Sequence, residues 1–99
     1  SNLNIFLTMG HELVHVAHFI TLTSTDYGSF FHDATEYGAY LWNVNILTHD
    51  DPYAPTYEYG TKCNQHYDKI KYTVPSNLKQ KVRTYDEWGM PKQFPEFNK

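Results

Sequence analysis

His11-Glu12-Leu13-Val14-His15 is the stretch around which we expect the chain to fold. Residues 3–22 surround it with helical spacing, and on such a helix His11 and His15 lie one turn apart and point the same way. Apolar residues fill most of the circumference, which is typical of a buried helix, so we predict that this helix is buried. One sector of roughly 120° holds the polar side chains: Asn4, Thr8, His11, Glu12, His15 and His18.

Two imidazoles one helical turn apart suit two ligands of one tetrahedral Zn²⁺. Glu12 lies on the flank of the same stripe, too far round to be a third ligand but within reach of a metal-bound water. There it could take the proton of that water as a general base and pass it to a leaving amine. His18 is displaced by about 4.5 Å along the helix axis from His15, so we expect it beside the site or lining a cleft.

A catalytic zinc site needs a third protein ligand, and the sequence offers two acidic candidates. Residues 31–47 have helical spacing, and residues 23–30 are rich in Ser, Thr, Asp and Gly, which predicts a turn that reverses the chain before this second helix. Glu36 would then return beside the histidines, which makes it the preferred ligand. Asp26 lies in the turn itself and is the alternative, although it would need a sharper reversal.

The second half of the chain predicts a small amount of β-structure. Residues 69–74 alternate between polar and apolar side chains, as a strand with one polar face does, and residues 56–59 could pair with them as a hairpin. Pro75 then opens a predicted third helix that ends before Gly89. We therefore expect one α+β domain over residues 1–99, mainly helical, with the motif helix packed on the Glu36 helix and a small β-hairpin.

Composition narrows the function further. Hydrophobic residues make up 40% and charged residues 19% of the 99 residues, which is the composition of a globular domain. The net charge is −3 and no basic block occurs, so nothing supports a nucleic-acid partner. Polar residues interrupt residues 2–22, so we expect no membrane span. Cys63 is the one cysteine, which excludes an internal disulfide.

The H-E-L-V-H motif at residues 11–15 is similar to the zinc-binding motif of the zincin metallopeptidases. Thr-Glu-Tyr-Gly-Ala-Tyr at residues 35–40 resembles the glutamate-bearing second helix of the gluzincins, and the added His18 resembles clostridial neurotoxin light chains and secreted bacterial effector proteases. The resemblance covers roughly residues 3–45. It implies a zinc endopeptidase that acts on a protein or peptide substrate. Its metal ligands would be His11, His15 and Glu36, and its general base would be Glu12.

The resemblance also has departures that change what we expect of the chain. Zincins normally place a β-sheet before the motif helix, whereas only ten residues precede His11 here. The sheet would come from the later strands, or the chain would be the C-terminal part of a larger protein and associate with an upstream fragment. Residues 25–28 are similar to the aspartate-bearing turn of the aspzincins, which keeps Asp26 open as a ligand. An effector protease would be secreted or translocated, and its partners would include an inhibitor or immunity protein.

Two other interpretations stay open at this point. One is a non-catalytic effector or binding module that zinc stabilises, in which His18 or His32 would close the site as a fourth ligand. In the other interpretation the protein binds no metal at this motif, and His11 and His15 are core histidines hydrogen-bonded to the backbone. Several polar side chains on one buried stripe would then each need a partner.

Overall fold

Three α-helices make up most of the described chain. The structure is a computed structural model and describes residues 2–21, 31–73, 85–86 and 89–90. The helices are α1 (Asn2–Thr21), α2 (Phe31–Asp50) and α3 (Tyr57–Thr73). Because α2 packs against both α1 and α3, it is the central helix of this part of the molecule.

The two helices predicted around the motif are confirmed. The predicted helix over residues 3–22 corresponds to α1, and the predicted helix over residues 31–47 continues to Asp50 as α2. Asp33 in the first turn of α2 and His49 in its last turn both suit the helix dipole.

The predicted α+β fold with a β-hairpin is wrong, because the described residues are mainly helical and contain no strand. Residues 57–59 and 69–73, expected in the hairpin, belong to α3. The physical reason is helical spacing over a longer window: Cys63, Tyr67 and Ile70 lie on one face, where Cys63 and Ile70 are buried. A few alternating residues at the end of a helix can resemble a strand, although Ile70 is buried and the neighbouring Lys69 is exposed as on a helix surface.

Other expectations fall partly or wholly outside the described residues. The predicted turn at residues 23–30, which contains Asp26, lies outside the described residues. Most of the predicted third helix after Pro75 lies outside them as well. Tyr85 and Asp86, at the end of that segment, are described and are not helical. Asp86 N donates to Met90 O at 2.7 Å, and Gly89 has a φ of 77° in the turn between them.

The contact between α1 and α2 is close because one glycine leaves room for a large ring. Leu7, Val14, Ala39 and Trp42 form a buried cluster between the two helices. A Cβ atom at Gly10 would collide with the six-membered ring of Trp42. The glycine therefore allows the indole to lie directly against the backbone of α1.

A second buried cluster joins α2 to α3 and to the segment around residue 85. It contains Ala34, Ile70 and Tyr85, with Tyr37 and Tyr67 packed at its edge. The Tyr85 hydroxyl donates to the Ala34 carbonyl at 3.3 Å. This cluster places α3 on the opposite side of α2 from much of the α1 contact.

The expectation that α1 is buried all round is wrong. Only the face with Leu7, Val14 and His18 is buried. The outward face carries exposed apolar side chains, including Leu13 at 64% and Ile20 at 78% exposure. The sequence pattern identifies apolar residues, but it does not show how many neighbouring elements cover them. Among the described elements, only α2 packs extensively on α1.

His18 is the most deeply buried histidine in the described part of the molecule, and its accessible surface is 0%. Its Nε2–H donates to the Gly89 carbonyl at 2.7 Å, and its Nδ1 has no hydrogen-bond partner. Burial lowers the pKa of His18 from 6.5 to about 4. The folded state therefore holds this imidazole neutral at a pH where the unfolded chain would protonate it.

This difference predicts an acid-dependent loss of stability. Between pH 6.5 and about 4 the unfolded state binds a proton at His18 that the folded state does not. The free energy of unfolding should therefore fall as the pH is lowered through this window, by about 3 kcal/mol in total from this group. Urea unfolding at several pH values measures the slope. His18→Gln, which can still donate to Gly89, should show a shallower slope, whereas an unchanged slope would contradict the assignment.

Candidate metal centre

Three possible ligand atoms come together where α1 packs against α2. One atom each from His11, His15 and Glu36 lies within 4.8 Å of the other two. The Nε2 atoms of His11 and His15 are 3.3 Å apart. Glu36 Oε1 contacts His15 Nε2 and lies 3.8 Å from His11 Nε2.

These residues fit a zinc ion by donor chemistry and by spacing. Two imidazoles and one carboxylate form a ligand set that catalytic zinc sites use. Zinc–nitrogen distances near 2.0–2.1 Å in a tetrahedron place two ligand nitrogens about 3.4 Å apart, and the two Nε2 atoms are 3.3 Å apart. The side chains of His15 and Glu36 keep 13% and 18% exposure, so the group is not sealed from solvent.

Asn43 fixes the orientation of His11. Its side chain is fully buried, and its Nδ2 donates to the Leu7 carbonyl at 3.0 Å. Since a carbonyl can only accept, the amide has one orientation, and Asn43 Oδ1 accepts from His11 Nδ1 at 2.8 Å. This bond places the imidazole proton on Nδ1 and leaves the lone pair of Nε2 directed to the cluster.

Sequence reasoning missed Asn43, although a signal was present. Glu36, Tyr40 and Asn43 are spaced by four and three residues, so they lie on one face of α2. A polar residue on the same face as a candidate ligand is a natural partner for a ligand imidazole.

Tyr40 lies between the cluster and α3. Its ring centroid is 4.5 Å from that of His11. Burial raises the pKa of Tyr40, and the charge of Glu36 raises it further. The phenol therefore stays protonated at neutral pH and remains a hydrogen-bond donor.

A cleft of about 240 Å³ opens beside the cluster. Its lining includes Thr8, His11, Glu12, Tyr40, Asn43 and Tyr59. Glu12 is exposed and borders the same cleft as the candidate ligand His11. A small molecule or a substrate side chain in this cleft would therefore meet a carboxylate, a phenol and the edge of the cluster.

The other histidines considered as ligands do not join the group. His18 is turned into the core and bonds to Gly89. His32 is exposed on α2, where its ring centroid lies 5.8 Å from that of His66. Within the described ranges, no fourth His, Cys, Asp or Glu shares the cluster of His11, His15 and Glu36.

His66 is the second residue that sequence reasoning missed. It lies on α3 and is half-buried, with Nδ1 2.9 Å from Asp33 Oδ1 and Nε2 3.8 Å from Glu36 Oε2. Its position could not be inferred once the end of α3 was interpreted as a strand.

The surroundings of Cys63 do not favour a nucleophilic role. The thiol is buried on α3, and its Sγ lies 3.8 Å from the Tyr37 carbonyl. Burial raises the pKa of Cys63 to about 12, so the thiolate is not formed at neutral pH.

Comparisons of the chain with models of protein families, with curated proteins and with solved structures find no match. The resemblance to zincins therefore rests on the two sequence motifs and on the cluster that they form. None of the helices in the described part of the chain has both the length and the apolar character needed to cross a bilayer.

Removal of the Asn43 side chain should weaken zinc binding. Asn43→Ala frees the His11 ring, and loss of such an outer partner typically lowers metal affinity about 10–100-fold. Loss of the two buried hydrogen bonds of Asn43 should also cost roughly 1–3 kcal/mol of stability. Competition with a zinc-binding dye measures the affinity. Thr48→Ala is the control: it loses a hydrogen bond to the Val44 carbonyl on the same helix and should keep the zinc affinity of wild type. Equal affinities in the two variants would exclude this role for Asn43.

Proposed function

We propose that the protein is a zinc-dependent peptidase in which His11, His15 and Glu36 hold the metal. The observation that carries the proposal is the convergence of these three ligand atoms beside a cleft that Glu12 borders. Three protein ligands with a solvent-accessible side are typical of a catalytic zinc site, whereas a structural site is closed by four.

When bound, Zn²⁺ would polarise the scissile carbonyl and make an attacking water more acidic. Glu12 would take a proton from this water as its oxygen forms a bond to the carbonyl carbon. The same carboxyl would return the proton to the leaving nitrogen as the C–N bond breaks. The products are one carboxylic acid and one amine, so atoms and protons balance without another reactant.

Tyr40 is suited to assist the developing charge on the carbonyl oxygen. It lines the cleft, and its raised pKa keeps the hydroxyl protonated. A neutral phenol in a partly buried site is a good donor to an oxyanion. Asn43 acts differently, since it bonds to His11 and to the backbone of α1 and therefore orients a ligand.

The choice of peptide bonds rests on the resemblance to the zincins. The cluster and its cleft would suit hydrolysis of other carbonyl compounds as well. The motif with the added His18 extends the proposal to a secreted or translocated effector or toxin domain, for which an inhibitor or immunity protein would be a natural partner. A non-catalytic module stabilised by zinc is the competing function, and it predicts bound zinc without hydrolysis.

The test is hydrolysis of a fluorescein-labelled unfolded protein such as casein by the zinc-loaded chain. Glu12→Gln should keep zinc at one equivalent, because Glu12 is not a ligand, and should lose about 10²–10⁴-fold in rate, because the general base is gone. Asp68→Asn is the control. Asp68 lies on the face of α3 that is opposite to His66, so removal of its charge should leave the full rate.

Two results would overturn the proposal. Wild type without stoichiometric zinc would remove its basis. Wild type with zinc but with no more hydrolysis than Glu12→Gln, over a broad peptide library as well as casein, would favour the non-catalytic module.

A further inference from the structure

Asp33 and His66 form a hydrogen-bonded pair directly behind the carboxylate of Glu36. His66 Nδ1 donates to Asp33 Oδ1 at 2.9 Å, and the side chains are only 14% and 15% exposed. The other ring nitrogen, Nε2, lies 3.8 Å from Glu36 Oε2. Lys69 also approaches Asp33, with Nζ 3.8 Å from Oδ1, but its side chain is 63% exposed.

The two oxygens of Glu36 face different partners. Oε1 is directed to His11 and His15, whereas Oε2 is directed to His66. A carboxylate that is engaged on both sides has one preferred rotation about its last bond, and one that is engaged on a single side does not. Glu36 would thus present a single oxygen to a metal ion held by the two histidines.

The ring of His66 is also held in place by its neighbours. Tyr40 stacks on one face, with ring centroids 5.8 Å apart and planes at 12°. His32 approaches with its ring at 78° to that of His66, with centroids 5.8 Å apart. With Asp33 fixing Nδ1 as a donor, rotation of the ring would break the hydrogen bond and the stacking together.

We propose that His66 is a positioning residue for the metal ligand Glu36. As an imidazolium, which carries an N–H on both ring nitrogens, it would donate from Nε2 to Glu36 while Asp33 accepts its Nδ1–H. This inference rests on the proposed zinc site but adds α3 to it. The 3.8 Å separation would shorten when a cation withdraws Oε1 from the two imidazoles. Outer-sphere partners of this kind orient a ligand and raise metal affinity without touching the metal.

The proposal has a consequence for how the helices cooperate. Zinc binding would stabilise the packing of α3 on α2, because His66 lies on α3 while Asp33 and Glu36 lie on α2. The metal would therefore be linked to all three helices, although its ligands come from two of them.

Matched substitutions at residue 66 separate the two hydrogen bonds. His66→Gln places its amide near the position of Nε2 and can donate to Glu36. His66→Asn places its amide near Nδ1 and can reach only Asp33. His66→Ala removes both contacts, and His32→Ala removes the ring that packs against His66 without removing either hydrogen bond.

Zinc affinity by dye competition and the visible absorption spectrum of the Co²⁺-loaded protein are the readouts. His66→Ala and His66→Asn should bind zinc about 10–100-fold more weakly and show an altered cobalt spectrum. His66→Gln should recover at least part of both, and His32→Ala should stay within about threefold of wild type. Circular dichroism melting of each variant identifies any that do not fold, in which case the comparison of His66→Gln with His66→Asn decides.

The failure of this inference differs from the failure of the zinc site. If wild type binds zinc and His66→Ala matches its affinity and its cobalt spectrum, His66 does not position Glu36. If His66→Gln and His66→Asn lose affinity equally, or if His32→Ala loses as much, the effect comes from packing and the inference is wrong. If wild type itself binds no zinc, the proposed function fails with it.

Discussion

The side chain of Asn43 joins the two helices at the point where the candidate site forms. It is fully buried, and its two ends bond to the Leu7 carbonyl on α1 and to the ring of His11. An unpaired amide would be costly there, so α1 and α2 must cross in the register that satisfies both bonds. The same register brings His15 against Glu36. One buried polar contact thus couples helix packing to the geometry of three ligand atoms.

The central helix α2 serves this site through one face. Glu36, Tyr40 and Asn43 lie on it, and each meets a different partner: the two histidines of the motif, the cleft, and the backbone of α1. By contrast, α1 turns only part of its circumference toward α2 and leaves Leu13 and Ile20 exposed. The site therefore depends on the α1–α2 contact far more than on the outer surface of α1.

Much of the site could be predicted from the sequence because it depends on local spacing. Histidines at 11 and 15 share a helix face by geometry, and a second helix that packs against the first brings Glu36 to them. The remainder depends on contacts between distant residues. The alternation at residues 69–74 is a short pattern that tertiary packing of Ile70 overrides, and His66 enters the site only because α3 is a helix. The prediction that α1 is buried all round was wrong for a related reason. Hydrophobicity does not specify which neighbours cover a surface.

The central claim is that His11, His15 and Glu36 hold one zinc ion and leave one coordination position free of protein. Anomalous diffraction at the zinc absorption edge, from crystals of the zinc-loaded chain, tests it most directly. The account predicts one strong peak about 2.0–2.2 Å from His11 Nε2, His15 Nε2 and a Glu36 oxygen, with a non-protein atom as the fourth ligand. No peak at this position, a peak that Glu36 does not contact, or a fourth ligand from the protein would contradict it.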